Sequence, residues 1–268
     1  MQDVLIALKT DLASGIAIRY VCQLEKLFRF NMQAVHIPDM DEKGHSPGGG
    51  WVHQTWEDAV IQQAKENIAK LVKEDLFYSY LTQSPKIIPG DKDQVILEEV
   101  NNNKYAFFIE GLLHSFDPET FFQKLDSDLY NTLAFPILLV KNIVNMDKGI
   151  QIAVTKDTMP SVFPWFFKIF KELSEKPDIL ICNLTTNDEK IKIIEDEKDL
   201  ISDIKAQFSQ YSKEVGKIQI AEGSAEELSL LVRDHALLIS SRPKSHEPMA
   251  EMLSMSPCPI LLCPESQL

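Results

Sequence analysis

The chain has 268 residues, a formal net charge of −13, and 44% hydrophobic and 25% charged residues. This composition suits one large or two small globular cores. The net charge repels nucleic acid and anionic lipid over long range, so neither is an expected partner.

The elements follow in order. Val4–Leu8 is short and apolar on both faces, the pattern of a strand buried in a parallel sheet. The polar turn Lys9-Thr10-Asp11 comes next, where Asp11 or Ser14 can cap a helix. Apolar residues then recur at helical spacing from Ala13 to Phe28, followed by a strand at Met32–Ile37. Residues 38–50 form a loop containing Gly48-Gly49-Gly50, with Trp51 and Trp56 beyond it as an anchor or partner contact. A helix is predicted over 55–74, with Thr55 and Asp58 as its capping pair. Further elements are a strand at 86–88, the turn Pro89-Gly90-Asp91, a helix over 93–100, a strand over 105–109 ending at Gly111, a helix over 118–133 and a strand at 136–140.

The order then begins again. Ile150–Val154 matches Val4–Leu8. A helix is predicted over 164–173, rich in phenylalanine and apolar nearly all round, which suggests an interface. It is followed by strand 178–184, helix 199–211, strand 217–221, the turn Gly223-Ser224, helix 225–234, strand 236–240, helix 249–255 and strand 259–263. Strands alternating with helices imply parallel sheets covered by helices. The repeated order implies duplication. The fold class read here is therefore α/β, as two tandem doubly wound five-stranded parallel-sheet units, 1–142 and 148–268, joined by a short linker.

No apolar run reaches the ~18 residues of a membrane-spanning helix. Met1–Leu8 lacks the basic head and long apolar stretch of a secretion signal, so the expected location is cytoplasmic. Cys22, Cys182, Cys258 and Cys263 make no Cys-x-x-Cys pair and are read as reduced. They and the histidines fall into no metal-ligand spacing, and no nucleophile elbow is present. No metal and no catalytic residue is expected.

One family matches these landmarks in order. The opening strands, Gly90-Asp91, Tyr105–Gly111 with Ala134–Val140, and in the second half Gly223-Ser224, Ala236–Ser241 and Ser256-Pro257-Cys258-Pro259, resemble the universal stress proteins over nearly the whole chain. In that family the opening strand ends in Asp, and a Gly-x2-Gly-x9-Gly-Ser/Thr loop cradles nucleotide phosphates through backbone N–H groups. The resemblance implies the fold, and a site at the strand tips formed by Lys9, Asp11, Gly90, Gly111 and Ser115 in one half and by Asp157, Gly223, Ser240, Ser241 and Arg242 in the other. It also implies that the fifth strands pair with each other, giving an internal pseudo-dimer.

The sequence departs from the pattern at the phosphate loops. Lys9 and Thr155 replace the strand-end Asp. His114 and Ser115 stand near the second glycine, Gln123-Lys124 and His246-Glu247 at the Gly-Ser pair, and Ser240-Ser241-Arg242-Pro243 at the glycine start. The expected function is thus stress response by binding or scaffolding, without catalysis and with nucleotide binding weak or lost. The expected partner is another protein or a second copy. An ATP or adenine-nucleotide sensor in at least one half is an alternative reading. An ATP-hydrolysing enzyme using Asp11 or Asp157 is another.

Overall fold

The computed structural model describes residues 2–25, 27–38, 51–74, 81, 83–112, 118–185 and 190–265. The chain divides into two compact units, Met1–Leu113 and His114–Leu268.

The first unit alternates β1 (Gln2–Leu8), α1 (Leu12–Leu24), β2 (Phe30–His36), α2 (Trp51–Glu74), β3 (Lys86–Ile87), α3 (Lys92–Asn102) and β4 (Phe108–Gly111). Its strands run parallel in the order β3-β2-β1-β4. The central strand β1 is apolar on both faces because both are covered: Val4, Leu5 and Ile6 are fully buried. Asp11 caps α1 by accepting a hydrogen bond from the Ser14 amide at 2.8 Å, and the Ser14 hydroxyl accepts one from the Lys9 amide at 2.7 Å. Strand exit and helix start are thus welded into one turn. Helix α2 begins at Trp51, four residues before the predicted Thr55 start. The glycine string 48–50 and the side chains of Trp51 and Trp56 lie outside the described residues.

The second unit contains α4 (Pro118–Leu125), α5 (Asp128–Thr132), β5 (Ile137–Val140), β6 (Ile150–Val154), α6 (Met159–Ile169), β7 (Asp178–Leu184), β8 (Lys192–Ile193), α7 (Lys198–Gln210), β9 (Ile218–Gly223), α8 (Ala225–Ser229), β10 (Leu237–Ser241), α9 (Pro248–Met255) and β11 (Ile260–Cys263). The strand order is β5-β11-β10-β6-β7-β9-β8. Within it β9-β7-β6-β10 repeats the third-second-first-fourth arrangement of the first unit, all parallel. β5 pairs antiparallel with β11, with Leu138 opposite Leu261 and Leu139 opposite Ile260. The two fifth strands therefore meet, as the resemblance implied. This pairing places the segment from α4 to β5 in the second compact unit, whereas the element order of the sequence divides at the 141–149 linker.

Three local expectations change. The helix predicted over 118–133 is two helices, because Ser127 caps a new start, its hydroxyl accepting from the Tyr130 amide at 3.3 Å. The short antiparallel edge strand β8 has no counterpart in the sequence reading. The phenylalanine-rich helix starts at Met159, with Pro164 inside it, and it is core rather than interface. Phe163, Phe166 and Phe167 of α6 close on Phe208 of α7 at ring-centroid distances of 5.2, 5.6 and 4.8 Å. Phe167 also stacks on Tyr211 at 4.0 Å. The aromatic excess that suggested an interface is consumed by a second helix lying over the first.

Candidate strand-tip site

In an open parallel sheet, ligands bind beyond the carboxyl ends of the strands. At the tips of the first unit, Lys9 is exposed just past β1, and the Asp11 carboxylate is engaged in its helix cap. Beside them, between α1 and α2, lies a shallow depression of about 250 Å³ lined by Thr10, Asp11, Asn67, Lys70 and Leu71. His36, at the tip of β2, is buried and donates from Nδ1 to the Leu8 carbonyl at 2.7 Å. A carbonyl can only accept, so this fixes the proton on Nδ1. Burial lowers the His36 pKa against the opposing pull of that hydrogen bond.

The two glycines expected at the first unit's site have distinct roles. Gly90 has φ of +141°, a conformation that L side chains rarely adopt. It turns the chain out of β3, and Asp91 then caps α3 by accepting from the Gln94 amide at 3.0 Å. Gly111 packs instead: a Cβ added there would fall 2.3 Å from the Ala13 carbonyl oxygen, so this glycine lets β4 lie against the backbone of α1. Immediately before it, buried Glu110 forms an ion pair with Lys92, tying the start of α3 to the tip of β4. Ser115 lies outside the described residues.

The second unit's tips are committed to internal contacts. Gly223 meets a would-be Cβ only at ordinary contact distances, and Ser224 caps α8 by accepting from the Glu227 amide at 3.3 Å. Asp157 is exposed in the turn after β6. Its neighbour Lys156 pairs with Glu197 at 2.7 Å, and Thr155 and Thr158 hydrogen-bond one another at 3.1 Å. Ser240 is fully buried and donates to the Ala153 carbonyl at 2.7 Å, and Ser241 is buried as well.

The Arg242 guanidinium, the strongest sequence candidate for an anion, reaches the carbonyls at the end of α5. It donates to Leu133 O at 2.9 Å and to Tyr130 O. Those are orphan helix-terminal acceptors, for which a cation is the favoured partner.

The loop between β10 and α9 is where the resemblance led one to expect a phosphate cradle. Here the Arg242 amide donates to Cys263 O at 2.7 Å and the Glu247 amide to Lys244 O at 3.3 Å. The Lys244 amide donates to the Glu247 carboxylate at 3.2 Å. Pro243 and Pro248 carry no amide hydrogen. His246 has φ of +61°, a left-handed backbone at a position where the resemblance led one to expect glycine. Its ring lies 4.6 Å from that of Phe122 on α4, which gives the side chain a packing role at that strained position.

The sequence reading missed Glu110 and His36. A glutamate and a histidine inside otherwise apolar strand runs were the available signals. No group of three His, Cys, Asp or Glu able to hold a metal ion occurs among the described residues, and no helix there is long and apolar enough to cross a membrane.

The histidines carry a pH consequence. His235, half-buried in front of β10, is also lowered by burial, against Asp178 and Asp234, which raise it. Each of these histidines binds its proton less readily folded than unfolded, where the ordinary value is 6.5. The stability they contribute is therefore complete above that value and is lost as pH falls below it towards the lowered folded values. The part of the urea midpoint that these two histidines contribute should be constant from about pH 8 to 7 and decline between about pH 6.5 and 5. Replacing His36 and His235 by glutamine should flatten that decline.

No family model and no curated protein matches the sequence. Solved structures do match. A universal stress protein from Archaeoglobus fulgidus DSM 4304 superposes with a TM-score of 0.68 at 12% identity, covering 99% of this chain and 97% of that one. A functionally unknown protein from Pseudomonas aeruginosa PAO1 gives 0.54 at 12% identity over 99% and 93%. A protein from Pseudomonas aeruginosa UCBPP-PA14 provisionally assigned to the universal stress proteins gives 0.53 at 11% identity over 98% and 93%. Strand order, helix interleaving and this coverage agree: the chain has the fold of the universal stress proteins over nearly its whole length.

Proposed function

We propose that this is a cytoplasmic, universal-stress-type protein of two repeats, 1–142 and 148–268, that acts by binding or scaffolding rather than catalysis, and that its second strand-tip loop no longer takes nucleotide. The observation that carries this reading is the loop from Arg242 to Pro248. Phosphate cradles need several convergent, uncommitted N–H groups. In this loop three amides are turned onto internal acceptors, two positions are proline, and the Glu247 carboxylate sits among the remainder. The displaced cation Arg242 holds α5 instead.

The test is calorimetric titration of the full chain with Mg-ATP to millimolar concentration, paired with amide chemical-shift mapping. The expected result is no shift change at Arg242–Glu247. Saturable changes there would overturn the reading.

A second reading has one observation in its favour: exposed Lys9 beside the depression lined by Thr10, Asn67 and Lys70 at the start of α1. It gives the first repeat an adenine-nucleotide or other phosphate ligand. Binding that maps to Lys9–Leu12 and weakens in Lys9→Glu would establish this reading. Heat and shifts absent at millimolar ATP would remove it.

A further inference from the structure

His36 closes β2 and pairs in register with Leu8 at the end of β1. Ala7 pairs with Glu110, which sets Leu8 beside Gly111, the glycine that packs on α1. Paired positions of parallel strands share a face, so the His36 side chain lies on the face that α1 covers. The residue is 6% exposed, and its Nδ1–H donates to Leu8 O at 2.7 Å. The lone pair is thereby fixed on Nε2. Nε2 has no hydrogen-bond partner among the described residues, yet it is not one of the buried side-chain atoms left without one, so it reaches the surface at the strand tip. Lys9, one residue past Leu8, is exposed and close enough to act on the ring electrostatically. The depression between α1 and α2 begins at the next residue, Thr10.

We propose that His36 is a specificity-determining residue of the first strand-tip site, its Nε2 accepting a hydrogen bond from an N–H or O–H group of a ligand whose phosphate is held at Lys9. This role rests on the reading in which the first repeat takes a phosphate ligand. It adds a second requirement for that ligand: a donor group at the tip of β2 as well as an anion at the tip of β1.

Two features suit the ring to this role. The bond to Leu8 O fixes both tautomer and orientation before any ligand arrives, so accepting costs no rearrangement. Burial favours the neutral ring, the form with a lone pair to offer. Such an acceptor discriminates, because a ligand group that presents a lone pair in place of a hydrogen leaves Nε2 unpaired. The Leu8 bond alone would account for a purely structural histidine. The open Nε2, at the edge where parallel sheets bind their ligands, is what points to a ligand.

The test follows the imidazole nitrogens and the backbone amides of the full chain by NMR during titration with sulfate, ribose 5-phosphate and ATP, at about pH 8 so that the ring is neutral. Sulfate is an anion without a hydrogen to donate, and it should shift the Lys9–Leu12 amides and leave the Nε2 resonance in place. At least one of the other two should also move Nε2 upfield, as an acceptor nitrogen does on gaining a hydrogen bond. A response to ribose 5-phosphate assigns the donor to a hydroxyl, and a response to ATP alone assigns it to the base. His36→Phe keeps a ring and removes the acceptor. It should weaken the responding ligand about tenfold, the size of one hydrogen bond, and leave sulfate unchanged. An unmoved Nε2 while the Lys9–Leu12 amides respond to ribose 5-phosphate or ATP, or an equal loss of both ligands in His36→Phe, would overturn the role and leave anion binding standing. No response to any of the three at millimolar concentration would remove the phosphate reading and this role with it. Should His36→Phe fail to fold, the Nε2 resonance of the wild type decides alone.

Discussion

Replacing Phe208 by alanine is expected to destabilise the second unit by about 3–5 kcal/mol, the range for truncating a fully buried aromatic. Phe208 is 0% exposed and sits where three rings of α6 converge, at 5.2, 5.6 and 4.8 Å. Removing it empties the space between α6 and α7 and forfeits edge-to-face contacts worth ~0.5–1.5 kcal/mol beyond area burial. A domain of this size has only about 5–15 kcal/mol of net stability, so a substantial part of it should disappear. Urea denaturation read by circular dichroism measures the change. A loss below about 1 kcal/mol would mean that the phenylalanine cluster is not core and would restore the interface reading. Tyr211→Ala is the companion, expected to cost less because that ring is 54% exposed.

The second large effect is expected at Gly111. A methyl group there would stand 2.3 Å from the Ala13 carbonyl oxygen and 2.6 Å from its carbon, far inside contact distance. The obstacle is backbone on a helix packed against the strand, so relief requires α1 or β4 to move. Overpacking of this kind costs about 1–3 kcal/mol, and the backbone partner puts Gly111→Ala near the upper end, with Gly111→Val beyond it. The measurement separates two meanings of this glycine. If it serves β4–α1 packing, Ala lowers the denaturation midpoint in buffer without ligand. If it serves phosphate approach, Ala leaves stability unchanged and alters only ligand affinity. The geometry predicts the first outcome.

These two cases show why some features were legible in the sequence and others were not. The strands were readable because burial on both faces leaves a continuous apolar run, as in Val4–Leu8 and Ile260–Cys263. The Gly90-Asp91 and Gly223-Ser224 turns were readable because strand exit and helix cap are local backbone events. β8 was not readable: two exposed residues, Lys192 and Ile193, carry no periodicity. The start of α6 was misplaced because Pro164 reads as a first-turn residue, while Pro160 already occupies that role.

The candidate site was legible only as a list of positions. What Arg242 does is decided by carbonyls at Tyr130 and Leu133, more than a hundred residues earlier. What Gly111 does is decided by Ala13. Residue type and local spacing suggested an anion ligand and a phosphate glycine, and the capping role of the one and the packing role of the other are visible only through their tertiary neighbours.

The antiparallel seam between Ile137–Val140 and Ile260–Cys263 has an evolutionary corollary. When such edges belong to separate molecules, their association depends on concentration, and any change to one copy appears in both. Fused by a tether of a few residues, the same edges meet at a millimolar-scale effective concentration. One copy can then mutate alone while its neighbour keeps the seam intact. A brace such as the Arg242 contact with the end of α5 is a feature that a symmetric assembly would have had to accept twice over.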